Sequence, residues 1–143
     1  MSVTQISLSL ENTPGQLLKI SDCLRAEGIN IRGISVANSS DFSTIRFVTD
    51  NPVKTANVLR SHGYNIKESE AIAVEVPDHP GGLAAVLKPL RSANINVLFL
   101  YPYLGRGESG QAIIIVEVDK IQEAIEVLER NWVKTYGKEI YAL

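Results

Sequence analysis

The 143-residue sequence has few of the residues that mark out whole classes of protein, with one cysteine, one methionine, one tryptophan and two histidines. A lone Cys23 makes no intrachain disulfide and no cysteine metal cluster, and its company suits a reducing cytosol. His62 and His79 have no cysteine or histidine partner at ligand spacing, so the chain offers no expected metal site. No nucleophile–base–orienter set can be assembled from so few candidates, so we expect no catalytic residues and no cofactor. Excess positive charge is also missing. Fourteen Lys and Arg stand against sixteen Asp and Glu, for a formal net charge of −2, which leaves no basic field for a nucleic-acid backbone. Apolar runs such as Ala112 to Val116 are far shorter than the ~20 residues that cross a bilayer. Met1-Ser2-Val3-Thr4-Gln5 lacks the basic start and apolar middle of a secretion signal. A cytoplasmic protein with no membrane contact is the expectation.

What is present is a globular balance, 45% hydrophobic and 21% charged, arranged as an internal repeat. A shift of 66 lays Pro14-Gly15 on Pro80-Gly81 and Ile6, Leu8 and Leu10 on Ile72, Val74 and Val76. It also lays Leu17, Ile20 and Leu24 on Leu83, Val86 and Leu90, and Ile29-Asn30-Ile31 on Ile95-Asn96-Val97. Further on the shift becomes 69, matching Asp50 with Asp119 and Val58-Leu59 with Val127-Leu128. The three extra residues fall in the glycine-rich stretch from Gly105 to Gly110.

Each half has the same period changes. Ile6, Leu8 and Leu10 alternate with Ser7 and Ser9, the mark of a half-buried strand. Asn12-Thr13-Pro14-Gly15 predicts a turn with a capping side chain at a helix start. Leu17, Ile20 and Leu24 then form a helical stripe, closed by Gly28. Strands are expected over about 29–36 and 44–48, around the polar turn at Asn38 to Asp41. Pro52 opens a second helix with Val53, Ala56 and Leu59, closed by Gly63, and a short strand is expected over 64–67. The second half predicts strands at 71–76, 95–103, 111–118 and 139–141, with helices at 82–93 and across Ile121, Ala124, Ile125 and Leu128. The expected fold is α+β: two ferredoxin-like βαββαβ units, residues 1–69 and 70–143, each an antiparallel sheet with helices on one face. So small a unit buries its core only marginally alone, which favours pairing.

The turn before the first helix carries the main chemical signal, as Asn12-Thr13-Pro14-Gly15-Gln16-Leu17 and again as Asp78-His79-Pro80-Gly81-Gly82-Leu83. A helix start offers free N–H groups and partial positive charge, and glycine lets a ligand approach the backbone, which together suit a carboxylate. On the residues alone, the simpler reading is that Pro-Gly is no more than a tight turn before a helix. Gly105-Arg106-Gly107-Glu108-Ser109-Gly110 fits G-x-G-x-x-G but precedes a strand, so it predicts a long mobile hairpin loop and not a dinucleotide site. Tyr101 and Tyr103 are expected to line a core or interface, Trp132 to pack, and Cys23 to be small and buried.

An apolar strand, Asp/Asn-x-Pro-Gly-x-Leu, an amphipathic helix and Gly-Ile-Asn-Ile opening the next strand together resemble the ACT domain. Asn12 to Leu17 with Gly28 to Ile31, and Asp78 to Leu83 with Asn94 to Val97, carry the resemblance twice. The resemblance implies a regulatory protein that is not an enzyme. It would bind an amino-acid effector at an interface between ACT units, signal to a partner enzyme and form a homodimer. The implied ligand-binding residues are Asn12, Pro14, Gly15, Gln16, Leu17, Asn30 and Ile31 in the first half. In the second they are Asp78, Gly81, Gly82, Leu83, Asn96 and Val97. The serine-binding type of the family has amides where Asn12 and Asn30 stand, and in the second half Asp78 replaces the first of them. Leu10 and Val76 replace a histidine of that type, which fits a larger aliphatic or aromatic amino acid. The alternative is a scaffold or regulatory subunit that binds no ligand. RNA binding would need exposed aromatic and basic residues on the central strands, and the first strand shows Ser7 and Ser9.

Overall fold

A computed structural model describes residues Met1–Leu143. Strand β1 is Val3–Glu11, followed by helix α1 (Gln16–Ala26), β2 (Ile31–Asn38), β3 (Phe42–Thr49) and α2 (Pro52–Ser61). Strand β4 is Lys67–Val76, then come α3 (Gly82–Ser92), β5 (Val97–Arg106), β6 (Ala112–Val118) and α4 (Ile121–Arg130). A two-residue β7, Thr135–Tyr136, and a 3-10 turn, Lys138–Ala142, finish the chain. The chain separates into two compact units, one of residues Thr4–Ser69 and one of Glu70–Leu143 with Met1–Val3.

In the Thr4–Ser69 unit, β3 lies between β1 and β2, antiparallel to both, with Ile6 opposite Phe47 and Ile34 also opposite Phe47. Alternation buries Ile6, Leu8 and Leu10 with Ile45 and Phe47, against Ile20 and Leu24 of α1 and Ala56 and Leu59 of α2. The helical spacing of these residues puts them on one face, and burying each large aliphatic side chain is worth roughly 1.5–3 kcal/mol. Helix α2 starts on a true cap, where Asn51 Oδ1 accepts from the Lys54 N–H at 3.1 Å. In the second unit the order is β5-β6-β4-β7, and Ile72 pairs with Val116. Ile72, Val74, Val116, Val86, Leu90, Ala124 and Leu128 form its core.

The expected fold, two ferredoxin-like βαββαβ units that are each an antiparallel sheet with helices on one face, is not what forms. Six of the seven strands close into one barrel-like antiparallel sheet, with β7 against β4, and β4 also pairs with β1. The reason lies in β4. Lys67-Glu68-Ser69-Glu70-Ala71-Ile72-Ala73-Val74-Glu75-Val76 contains no glycine, proline, asparagine or aspartate to turn the chain. The last strand of the first repeat and the first strand of the second therefore run on as a single ten-residue strand. The strand expected at 139–141 is part of the 3-10 turn instead, and the final strand falls earlier, where Ala73 pairs with Tyr136.

Tyr101 and Tyr103 are buried, as their alternation predicts, and the Tyr103 hydroxyl donates to the Ile140 carbonyl at 2.7 Å. Cys23 is only half-buried, and burial followed by the nearby Glu27 carboxylate raises its pKa above the usual thiol value. Trp132 does not pack: it is 96% exposed. No helix is long and apolar enough to cross a membrane.

Candidate functional site

Helices α1 and α3 begin differently from α2. Gly15 and Gly81 occupy the cap positions with φ of 86° each, left-handed backbone that glycine adopts without strain, and no side chain caps either helix. The capping side chain expected from Asn12-Thr13 is therefore absent, because the Pro-Gly bend carries the chain past it. At the first turn the Asn12 N–H donates to the Asp41 carbonyl at 2.9 Å and the Thr13 N–H to Glu11 at 2.9 Å. The amide side chains of Asn12 and Gln16 stay uncommitted beside the uncapped helix start.

A cavity of about 180 Å³ opens at this turn, smaller than the ~300–1,000 Å³ of drug-sized sites and on the scale of one amino acid. Asn12, Thr13 and Gln16 form one side, and Asn38 and Ser43 face them from β2 and β3. Leu10, Leu17, Val36 and Ile45 supply its apolar part. The Ser43 hydroxyl donates to Asn38 Oδ1, which leaves the Asn38 amide N–H₂ as the donor. A concave, mostly apolar site with a few convergent polar groups is what a small zwitterion needs. Sequence reasoning missed Asn38 and Ser43, although the polar turn at 38–41 was visible. Their approach to Asn12 depends on the β1–β3 register, Glu11 opposite Phe42.

Asn30 and Ile31 lie elsewhere. Glu11 sits opposite Phe42 and Ile31 opposite Thr49, seven residues apart along β3, which is about 23 Å at ~3.3 Å per residue. Asn12 and Asn30 are thus at opposite ends of the same sheet. The Asn30 N–H donates to Asp50 Oδ1 at 3.0 Å and its carbonyl accepts from the Asp50 N–H at 3.1 Å. The second repeat duplicates this clamp with Asn96 and Asp119, at 3.0 and 3.2 Å. That clamp is the structural reason for the Asp50–Asp119 match between the repeats. Asn96 and Val97 line a separate cavity of about 490 Å³, which Arg91, Lys120 and Asp119 make polar.

The second Pro-Gly turn is more closed than the first. The Gly82 N–H is taken by the His79 carbonyl at 2.9 Å, and the Asp78 N–H donates to Gln111 Oε1 at 3.2 Å. The Gly82 Cα lies so near Pro77 that a Cβ would sit 1.9 Å from the Pro77 carbonyl oxygen. His79 is an exposed loop residue whose Nδ1 lies 2.9 Å from the Pro80 carbonyl. Asp78, Gly81, Gly82 and Leu83 stay together at this turn, away from Asn96 and Val97.

The glycine-rich hairpin is pinned and not free. The Glu108 N–H donates to the Tyr136 hydroxyl at 2.9 Å. That hydroxyl donates to Glu75 Oε1 at 3.0 Å, and Ser109 Oγ donates to the same oxygen at 2.8 Å. Gly107 is buried where a Cβ would lie 2.0 Å from the Glu75 carboxylate. Tyr136 is fully buried, and desolvation lifts its pKa above the usual phenol value, with the Glu108 N–H opposing and Glu75 adding to the rise.

The chain matches the family model for the ACT domain pair over residues 1–139. No curated protein matches it. Among solved structures it resembles protein BT0572 from Bacteroides thetaiotaomicron with a TM-score of 0.91 and 25% identity, covering 100% of this chain and 98% of that one. It also resembles the ligand-free regulatory subunit of aspartate kinase from Thermus thermophilus, with a TM-score of 0.64 and 13% identity over 90% and 91% of the two chains. The corresponding subunit from Thermus flavus gives 0.57 and 14% over 90% and 92%. At such identities the two kinase subunits speak for the fold alone. With the family model spanning all but the last four of its 143 residues, and with its motif present twice in the sequence, the chain belongs to the ACT domain pair family.

Proposed function

We propose that this protein is a regulatory sensor that binds a free amino acid at the Pro-Gly turn of its first repeat and passes the bound state to a partner enzyme. The observation that carries the reading is the cavity of about 180 Å³ at that turn, beside a helix start that no side chain caps. The ligand carboxylate takes the first-turn N–H groups near Gln16 and Leu17, where the helix dipole favours negative charge. Asn12 and Asn38 orient the polar end, and Leu10, Leu17, Val36 and Ile45 receive an aliphatic or aromatic side chain. Residues 1–69 and 70–143 act as the two ACT units of the sensor. Asn12 and Asn30 stand too far apart in one unit to touch one effector. A ligand that uses both takes them from two copies of the chain, so binding favours a homodimer and couples occupancy to assembly.

The test is to heat the full chain with each of the twenty amino acids and record Tm. A ligand at ~100 times its Kd stabilises the fold by about 2.7 kcal/mol, which moves Tm by several degrees in a chain of this size. One amino acid should do so, and Asn12→Ala should weaken its binding about tenfold or more by calorimetry. If none of the twenty moves Tm at millimolar concentration, the sensor reading fails, and the chain is a scaffold subunit without a ligand.

A further inference from the structure

Trp132 breaks a rule that its own repeat partner keeps. The shift of 69 that lays Val58-Leu59 on Val127-Leu128 lays Gly63 on Trp132. Gly63 ends α2 with φ of 84°, and Trp132 ends α4 with φ of 62°. Left-handed backbone strains a bulky residue. The indole recovers none of this by burial, since it is 96% exposed. It stands as one wall of a cavity of about 220 Å³, whose apolar lining is Pro77, Ala85, Val86 and Val133.

Two donors face the same cavity. Gln111 Oε1 is already taken by the Asp78 N–H, so its amide N–H₂ is the part left to give. Lys134 offers an ammonium held only loosely, 3.8 Å from the exposed Glu108 carboxylate and 5.2 Å from the Tyr136 ring centre. The one anion on the lining, Glu75, has Oε1 accepting two hydroxyl hydrogen bonds, from Tyr136 and Ser109. An aromatic wall with an ammonium and an amide donor suits a planar ring that carries a carboxylate.

We propose that the cavity under Trp132 is a second ligand site, for a small aromatic carboxylate: the ring lies on the indole, and the carboxylate accepts from Lys134 and Gln111. The site is independent of the first-repeat turn. Because Gln111 also holds Asp78, an occupant is tied to the second Pro-Gly turn.

Trp132 is the only tryptophan in the chain, so tryptophan emission comes from the wall of this cavity alone. Titration of the full chain with phenylacetate, which has no ammonium group, should quench that emission to a plateau. Lys134→Ala should raise the apparent Kd about tenfold or more, the loss of one charge-assisted hydrogen bond. Asn12→Ala should leave the curve unchanged, which separates this site from the sensor turn. Trp132→Gly, suited to the left-handed backbone, should fold and give no heat with phenylacetate in calorimetry. Quenching that rises linearly without a plateau, as for free tryptophan, overturns the proposal. So does a Lys134→Ala curve that superimposes on the parent.

Discussion

Replacing Tyr136 by Phe removes one oxygen atom and leaves a fully buried ring in place, so the loss can be read from the bonds that oxygen makes. The hydroxyl donates to the Glu75 carboxylate at 3.0 Å and accepts from the Glu108 N–H at 2.9 Å. A hydrogen bond to a charged group contributes about 1.5–3 kcal/mol, and a neutral one about 0.5–1.5. Glu108 is exposed, so water can take over its N–H and that second loss is small. A net cost of about 2 kcal/mol follows. With a urea m-value of ~2 kcal/mol/M, the unfolding midpoint should fall by about 1 M. The same bond pins the hairpin, and Arg106 gives trypsin a cleavage point within it. If opening of the loop requires breaking this bond, 2 kcal/mol raises the open population about thirtyfold, and cleavage after Arg106 should accelerate accordingly. A midpoint unchanged within ~0.2 M, together with an unchanged cleavage rate, would show that Tyr136 does not hold the loop.

Two further outcomes follow from the same geometry. The folded-state pKa of Tyr136 is raised, so its share of stability is complete below the unfolded value of ~10 and is lost as pH climbs through the folded value. The urea midpoint of the parent should therefore drop as pH rises above ~10 by more than that of Tyr136→Phe, and parallel drops would refute the assignment. Gly82→Ala puts a methyl group 1.9 Å from the Pro77 carbonyl, a backbone clash that forces the turn to move. It should cost about 1–3 kcal/mol and lower Tm by several degrees, and an unaltered Tm would mean that the turn is loose.

Much of this was legible because the repeat doubled every signal. Alternation found β1 and its buried Ile6, Leu8 and Leu10, and helical spacing found Ile20, Leu24 and Leu59. The same spacing overreached at Leu17 and Val53, which are 41% and 70% exposed, because a stripe read from sequence has no edge where the sheet beneath it stops. The closed sheet was not legible. The lack of glycine, proline, asparagine and aspartate in Lys67 to Val76 permits one long strand, but which strands it pairs with depends on partners distant in sequence. The hairpin looked mobile from its glycines, but Gly107 is small in order to pass Glu75, and the partner that pins it, Tyr136, lies 28 residues past Glu108. At the candidate site, Asn12, Gln16 and Leu17 fell out of the motif, whereas Asn38 and Ser43 needed the strand register. Trp132 was misread because its conformation, and not its identity, is what sets it apart.

The boundary between the compact units runs through strands and not through a linker. It cuts β1 between Val3 and Thr4, and β4 between Ser69 and Glu70. Splitting the coding sequence at the repeat junction would hand each fragment half of a strand and an unsatisfied row of backbone groups. A cut that respects the strands has to leave β4, Lys67–Val76, whole. The two repeats differ at their Pro-Gly turns, Asn12 in one and Asp78 in the other, yet both draw on that one strand.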